Sequence, residues 1–179
     1  MMGGAPENLL KLGYQARREE RLSDAKAHFA EAVELCRISG DNAMLAQALT
    51  GLGQIERDLG QLDAAVMLYL EAAELYRAMD RPLALAHTVR HVGDILRNQV
   101  RLDLAEPHYR EALEIYRSHG ETPPLDLANA IRGYALLKAG TGHKDEAAIL
   151  WQEAGGLYAQ VGVQAGVAES EAQVARLTA

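Results

Sequence analysis

The sequence predicts an all-α fold: a right-handed α-α superhelix of four helix pairs that ends in a C-terminal capping helix. Three observations lead to this prediction. Strong helix formers such as Ala, Leu and Glu are abundant, and only 5 of the 179 residues are proline. Apolar residues recur three and four positions apart, which places them on one face of a helix. Finally, a pattern of about 40 residues is repeated along the chain, which is typical of stacked helix pairs.

A recurring block marks the second helix of each pair. An alanine is followed after four residues by an aromatic residue, and three residues later by another alanine. The copies lie 40, 40 and 42 residues apart. They are Ala25, Phe29 and Ala32; Ala65, Tyr69 and Ala72; Ala105, Tyr109 and Ala112; Ala147, Trp151 and Ala154. An acidic residue also repeats within the block, at Glu31, Glu71, Glu111 and Glu153.

A second block, upstream of the first, marks the first helix of each pair. Two apolar residues three positions apart are followed directly by a small one. The small positions are Gly13, Gly53, Gly93 and Ala135. A small residue on one helix lets the aromatic ring of its neighbour approach closely, so we expect the two helices of a pair to interlock.

Glycine and proline turn signals divide the chain into elements. The predicted helices cover about 6–19, 22–38, 42–59, 62–79, 82–99, 102–118, 124–139, 144–160 and 164–177. Residues 6–179 are expected to form a single domain after a flexible N-terminus at 1–5. Its repeats cover about 6–41, 42–81, 82–121 and 122–162, and 163–179 form the polar-faced capping helix.

The two blocks together resemble the tetratricopeptide repeat, in the long variant of about 40 residues that is found in bacterial members of that family. The resemblance covers about residues 6–160. It implies a solenoid that binds proteins and has no catalytic activity. The sequence departs from the family pattern at the first-helix aromatic position, where it has Ala16, Glu56, Leu96 and Lys138. We therefore expect that packing site not to be kept.

In this family the first helices line a concave groove, so the resemblance implies a binding surface for a peptide or a partner segment. The groove positions carried over in this way are Tyr14, Arg17, Arg18, Gln47, Gln54, Arg57, His87, Arg90, Asp94, Arg97, Asn98, Asn129 and Arg132. Their many arginines match acidic or carboxylate-ended segments, because a guanidinium can bind a carboxylate with two parallel hydrogen bonds. The alternative is that these arginines pair with acidic neighbours on adjacent helices, and both interpretations stay open.

A second candidate surface lies on the opposite, convex side. Met67 and Leu70 belong to an unbroken apolar run but do not occupy core positions of the repeat. They could form a self-association patch, which would make the chain a homodimer and a structural scaffold. The alternative is that they pack against the neighbouring repeat.

Other classes of function are disfavoured. The net charge of -7 argues against a non-specific nucleic-acid binder, and no apolar run is long enough to cross a membrane. A lone cysteine, Cys36, fits a small core residue in a reducing compartment such as the cytoplasm. His87 and His91, with Asp94, lack a complete metal-ligand pattern, so we expect no catalytic residue, metal or cofactor. The excess of 14 Arg over 4 Lys is typical of a GC-rich bacterial genome.

Overall fold

The computed structural model describes residues 5–179, and within this range it contains nine α-helices and no β-strand. Most of the segment predicted to be a flexible N-terminus, residues 1–4, lies outside the described residues. The helices are α1 Pro6–Arg18, α2 Leu22–Ser39, α3 Asn42–Asp58, α4 Leu62–Ala78, α5 Pro82–Asn98, α6 Leu102–Ser118, α7 Pro124–Gly140, α8 Lys144–Gln160 and α9 Gln164–Thr178. Every helix end lies within one residue of its predicted position.

Local chemistry accounts for several of these helix ends. Proline occupies the first position of α1 and α7, where its missing N–H would have no partner in the helix. The side chain of Asp41 caps α3 by accepting a hydrogen bond of 2.9 Å from the Met44 backbone N–H. At the end of α2, Gly40 adopts a φ of 73°, a left-handed conformation that glycine tolerates without steric cost.

The chain divides into two compact units, residues up to Thr88 and residues from Val89 onwards. In the first unit α1 packs on α2, α2 on α3, and α3 on α4, while α1 also contacts α3. In the second unit α6 packs on α7, α7 on α8, and α8 on α9. Within each unit these helices therefore bury their apolar faces against their sequence neighbours, which is how short helices that are unstable alone form a core.

The predicted interlock of small and aromatic residues is present in both units. In the first, a Cβ atom on Gly13 would lie 2.8 Å from the Phe29 ring. In the second, a Cβ atom on Gly93 would lie 3.3 Å from the Tyr109 ring. Phe29 and Tyr109 are fully buried, so these contacts lie at the centre of the core.

The other side of each ring is covered by a second glycine, which the sequence analysis missed. Gly51 packs against Phe29 so closely that any Cβ atom would overlap the ring, and a Cβ atom on Gly133 would lie 2.5 Å from the Tyr109 ring. Glycine inside a helix costs about 1 kcal/mol relative to alanine. Two interior glycines in α3 and α7 were therefore a signal of close packing.

The expectation that the first-helix aromatic position is not a packing site was wrong. Ala16, Glu56, Leu96 and Lys138 are all buried. The two charged residues are accommodated because each has an ionic partner on a second helix. In the first unit Lys26 Nζ lies 2.8 Å from a Glu56 oxygen, and in the second Lys138 Nζ lies 2.8 Å from a Glu106 oxygen.

Candidate functional site

In the first unit, predicted groove residues of α1 and α3 meet at one carboxylate. The Nε of Arg17 donates to Asp58 Oδ2 at 2.9 Å, and Nη2 of Arg57 donates to Asp58 Oδ1 at 2.9 Å. Beside this cluster lies an open cleft of about 480 Å³, lined by Arg17, Arg18, Glu20, Leu22 and Asp58. The cleft thus brings together two of the residues that the sequence analysis placed in the groove, Arg17 and Arg18.

The charge of this cluster is set by its hydrogen bonds. Burial opposes ionisation of Asp58, but the hydrogen bonds from Arg57 and Arg17 outweigh it, and the pKa of Asp58 lies below its usual value. Asp58 is therefore a carboxylate at neutral pH. It holds the two guanidinium groups of neighbouring helices in place.

The remaining predicted residues of the first unit differ in exposure. Gln47 and Arg18 are exposed, while Gln54 and His87 are half-buried. Tyr14 is also half-buried, and its ring packs edge-on against Phe29 with a centroid distance of 4.9 Å. Burial raises the pKa of the Tyr14 hydroxyl, so Tyr14 contributes mainly to the edge of the core.

In the second unit, predicted groove residues of α5 form a network around Asp94. Nη1 of Arg90 donates to Asp94 Oδ2 at 2.6 Å, and the Tyr109 hydroxyl donates to Asp94 Oδ1 at 2.7 Å. The same hydroxyl accepts a hydrogen bond of 3.0 Å from Nε of Arg97. Burial and the nearby charge of Asp94 raise the pKa of Tyr109, which stays protonated and keeps donating.

A second set of polar side chains in this unit links α7 to α8 and α9. Nε and Nη2 of Arg132 donate to the two carboxylate oxygens of Glu169, each at 2.7 Å. These hydrogen bonds are the main reason why the pKa of Arg132 is raised. The Tyr158 hydroxyl donates to Asn129 Oδ1 at 2.8 Å. Both predicted residues of α7 are therefore oriented by side chains from α8 or α9.

The structure thus pairs most of the predicted groove arginines with carboxylates, as the alternative interpretation had it. Arg17 and Arg57 share Asp58, Arg90 binds Asp94, and Arg132 binds Glu169. Arg97 differs: its hydrogen bond goes to a neutral hydroxyl, and no carboxylate of residues 5–179 lies within salt-bridge distance of it. Asn98, the next residue, is exposed.

His91 lies beside this network, where the sequence raised the possibility of a metal site. Its Nε2 lies 3.0 Å from Nη2 of Arg90, and its Nδ1 lies 3.9 Å from Asp94 Oδ2. In the part of the chain that the structure describes, no three His, Cys, Asp or Glu residues are grouped as metal ligands. Cys36 is fully buried, as predicted for a core residue.

The predicted convex patch is exposed. Met67 has 72% of its surface accessible and Leu70 has 39%. The interpretation that these side chains pack against a neighbouring repeat is therefore wrong for Met67.

Sequence reasoning missed the residues that orient the predicted ones, namely Tyr109, Tyr158 and Glu169. The two tyrosines had been assigned only to the core, although a buried tyrosine hydroxyl usually needs a partner. It also missed two ion pairs between second helices, Arg37 with Glu71 and Arg117 with Glu153, both at 2.9 Å. The repeating glutamates were noticed, but the arginines that recur at the same repeat position were not.

The tetratricopeptide repeat family model matches residues 6–78. No curated protein is similar enough in sequence to be matched. Among solved structures, BtubC (BKLC) from P. vanneervenii superposes with a TM-score of 0.80 at 19% identity, over 90% of this chain and 68% of BtubC. The apo form of RapI gives a TM-score of 0.84 at 14% identity, over 92% of this chain and 60% of RapI.

A kinesin light chain protein of Podosopora anserina with nearly identical TPR-like repeats gives a TM-score of 0.71 at 12% identity, over 98% of this chain and 97% of that one. The predicted fold class, an all-α solenoid of helix pairs, is therefore confirmed. Residues 6–78 carry the sequence pattern of the tetratricopeptide repeat family, and the fold of the chain is similar to that of TPR-like solenoids. In the described residues no helix combines the length and apolar character that a membrane crossing needs.

Proposed function

We propose that this chain is a protein-interaction module that binds a peptide or partner segment along the faces of its first helices. The observation that supports this most directly is the arrangement of polar residues on α1, α3, α5 and α7. In each unit these side chains are fixed by one another rather than left mobile, as in the Arg17–Asp58–Arg57 cluster and the Arg90–Asp94 pair. A pre-organised polar surface loses little side-chain entropy when a partner binds.

The same arrangement bears on the proposed partner chemistry. An acidic or carboxylate-ended segment is the partner that guanidinium groups recognise best. Since most of these arginines already have a carboxylate partner, a generally basic groove has less support than a small number of defined subsites. Asparagine and glutamine side chains such as Gln47 and Asn98 supply further donors and acceptors for a peptide backbone.

Site-specific photo-crosslinking tests the proposed surface. p-Benzoylphenylalanine is placed at Gln47 on α3, at Asn98 on α5 and, as the matched control, at Met67 on α4, all three of which are exposed. After irradiation in cells, adducts of the same mass should form from Gln47 and Asn98 and should be absent from Met67. Adducts from the Met67 position alone would contradict the proposal.

A second candidate function is self-association as a structural scaffold, and it is supported by the exposure of Met67 and Leu70. Large apolar side chains exposed side by side are common at interfaces between copies of a protein. Sedimentation of the wild type and of a Met67→Glu, Leu70→Glu variant tests it. A dimer that becomes monomeric favours the scaffold, whereas two monomeric proteins exclude this patch as a dimer interface.

We further propose that the chain works by binding and without chemistry of its own, in a reducing compartment such as the cytoplasm. The family is one of interaction modules, and the polar clusters are assembled from ion pairs and hydrogen bonds of structural type. The lone cysteine, Cys36, is buried and burial raises the pKa of its thiol, which suits a core residue better than a nucleophile. The acidic net charge of -7 supports protein partners over nucleic acid.

A further inference from the structure

An open cleft of about 510 Å³ lies between α8 and α9 in the second unit. Most of its wall is apolar. The residues of α8 that define it are Trp151, Gly155 and Gly156, and those of α9 are Val167, Glu171 and Val174. None of the groove residues predicted from the sequence lines this cleft. It is therefore separate from the surface proposed above.

The corresponding groove of the first unit, three repeats earlier, is filled by a helix. There Val33 of α2 and Leu49 of α3 hold the positions of Gly155 and Glu171. Both are buried, and their apolar cluster includes residues of α4, with Ala72 inside it and Leu68 and Leu75 packed against it. Among residues 5–179 only α8 and α9 line the later cleft. The α8–α9 cleft thus has the build of a helix-binding groove.

Gly156 keeps the cleft open. The earlier repeats have glutamate at this position, namely Glu34, Glu74 and Glu114. A Cβ atom on Gly156 would meet nothing within 4 Å, so no internal contact requires a glycine there. Its neighbour Gly155 differs, because a Cβ atom on it would lie 3.0 Å from the Ser170 Cβ atom of α9. Since an interior glycine destabilises a helix relative to alanine, Gly156 is best accounted for by an occupant that uses the space.

The charges along the cleft differ from those of the first unit. On α2, Arg37 pairs with Glu71 of α4 at 2.9 Å, but α8 has Ala159 at the position of Arg37. In place of the buried Leu49, α9 has Glu171, which is exposed and forms no ion pair with the residues that the structure describes. An occupant therefore finds no cation for an acidic residue, whereas a Lys or Arg beside Glu171 would gain an ion pair.

We propose that the cleft between α8 and α9 binds an amphipathic helix of a partner protein, which has large apolar side chains on one face and a lysine or arginine beside Glu171. The second helices of this chain fit less well, because each carries a glutamate at the position that Arg37 neutralises in the first unit. These glutamates are Glu31, Glu71, Glu111 and Glu153. A second copy of the chain is therefore not the expected occupant.

Trp151 supplies a readout for this cleft. It is the single tryptophan of the chain and lies in the wall of the cleft. Its Nε1 makes no hydrogen bond with the described residues. The indole N–H thus gives one nuclear magnetic resonance signal, which reports on the environment of the α8–α9 cleft in the full chain.

The probe is a peptide with the sequence of α4, residues 62–78, with blocked ends. Met67→Gln and Leu70→Gln, at positions that are exposed in the protein, make it soluble. It is prepared with the native Ala72, with Ala72→Lys and with Ala72→Glu. Because Ala72 shares an apolar cluster with Leu49 in the first unit, a peptide bound in the same way places position 72 near Glu171.

The inference expects the indole signal to shift saturably with the lysine peptide. The glutamate peptide should bind about fivefold more weakly, since one partly exposed ion pair is exchanged for a repulsion. No shift with any of the three peptides at millimolar concentration overturns the inference, and so do equal affinities of the lysine and glutamate peptides.

Variants of the chain separate the cleft from net charge. Glu171→Lys should reverse the order of the two charged peptides. The control Glu121→Lys makes the same change of net charge at an exposed position that does not line the cleft, and should leave the order as it is. The same effect of both variants would show that only net charge matters, which overturns the inference.

Filling the cleft gives an independent test. Gly156→Gln should weaken binding of all three peptides about tenfold by occupying the space, while the helix is kept because glutamine is a good helix former. Circular dichroism checks that the variant is folded. Unchanged binding would contradict the proposed site. Sedimentation of the wild type and of Gly156→Gln tests the other occupant: a dimer that the substitution makes monomeric would show that a second copy fills the cleft, which also overturns the inference.

Discussion

The cores around Phe29 in the first unit and Tyr109 in the second have the same packing but a different chemistry. Each ring is fully buried and lies between two glycines, Gly13 and Gly51 for Phe29, Gly93 and Gly133 for Tyr109. The side chain of Phe29 has no polar atom. Tyr109 carries a hydroxyl that contacts both Asp94 and Arg97. One oxygen atom thus connects the core of the second unit to polar residues of the candidate site, while the packing of the ring stays the same.

The largest expected effects come from breaking the shared packing. Gly51→Ala would make a Cβ atom overlap the Phe29 ring, and Gly133→Ala would make one overlap the Tyr109 ring. Neither ring can move away easily, because each also packs against a second glycine, Gly13 or Gly93. Overpacking of this kind typically costs 1 to 3 kcal/mol, and we expect about 2 to 3 kcal/mol less unfolding free energy for each variant. Urea denaturation followed by circular dichroism measures it.

Gly156→Ala is the matched control for these two variants. It also lies inside a helix, α8, but a Cβ atom on Gly156 would meet nothing within 4 Å. Helix propensity alone then applies, and we expect a gain of about 0.5 to 1 kcal/mol. A similar gain for Gly51→Ala would show that the Phe29 ring can relax and that the packing is not tight.

A second difference between the units concerns one ion pair in each, in which one residue is buried and its partner is more exposed. Lys26 with Glu56 and Glu106 with Lys138 occupy the same two repeat positions, but the charges are exchanged. Glu56→Lys alone should place like charges together and lower the unfolding free energy by about 2 kcal/mol, the scale of a hydrogen bond to a charged group. Adding Lys26→Glu should restore most of the loss, because the result is the arrangement that the second unit already has.

A double-mutant cycle in urea measures this coupling. If the double variant were as unstable as Glu56→Lys, the ion pairs of the two units would not be equivalent. In that case burial at this position would depend on the individual side chain and not on the opposite charges of the pair.

The ion pairs also show which features of the fold could be predicted from the sequence and which could not. The positions of all nine helices and the contacts of Gly13 and Gly93 followed from the 40-residue period, because periodicity reports directly which face of a helix is buried. Glu56 and Lys138 were misjudged since a charged residue at a core position looks like a lost packing site unless its partner is known. That partner lies on another helix, about 30 residues away, and no local pattern indicates it.

The family resemblance predicts which residues belong to the candidate site, but it does not predict which of them contact one another. The groove positions followed from the family resemblance, and the structure brings Arg17 to Asp58 and Arg90 to Asp94. What could not be predicted is that Arg97 binds a hydroxyl in place of a carboxylate. That depends on side-chain geometry, in which Arg97 reaches a tyrosine hydroxyl while Arg17 and Arg57, at the same repeat position, reach Asp58.

Converting the second core into the first tests the role of the hydroxyl. Tyr109→Phe removes the hydrogen bonds to Asp94 and Arg97 but keeps the ring, as at Phe29. We expect a loss of about 1 kcal/mol in unfolding free energy, since water can reach the half-exposed partners. The nuclear magnetic resonance signal of the Arg97 Nε–H should shift, because its acceptor is gone although Arg97 itself is unchanged. An unaltered signal would mean that the Tyr109 hydroxyl does not orient the guanidinium.

The smallest expected effect concerns the turns inside the helix pairs. Gly60 in the first unit and Val100 in the second occupy the same repeat position, and both have positive φ, 79° and 61°. A β-branched residue in this left-handed conformation is strained by contacts between Cβ and the backbone, whereas glycine is not. The Val100 side chain is 78% exposed, so little packing is lost when it is removed.

Val100→Gly should therefore raise the unfolding free energy by about 0.5 kcal/mol, while Gly60→Val should lower it by about 1 kcal/mol. Thermal unfolding of both variants measures the pair. If Val100→Gly instead destabilises the protein, the exposed valine makes a stabilising contact that outweighs its backbone strain, and the two turns are not equivalent.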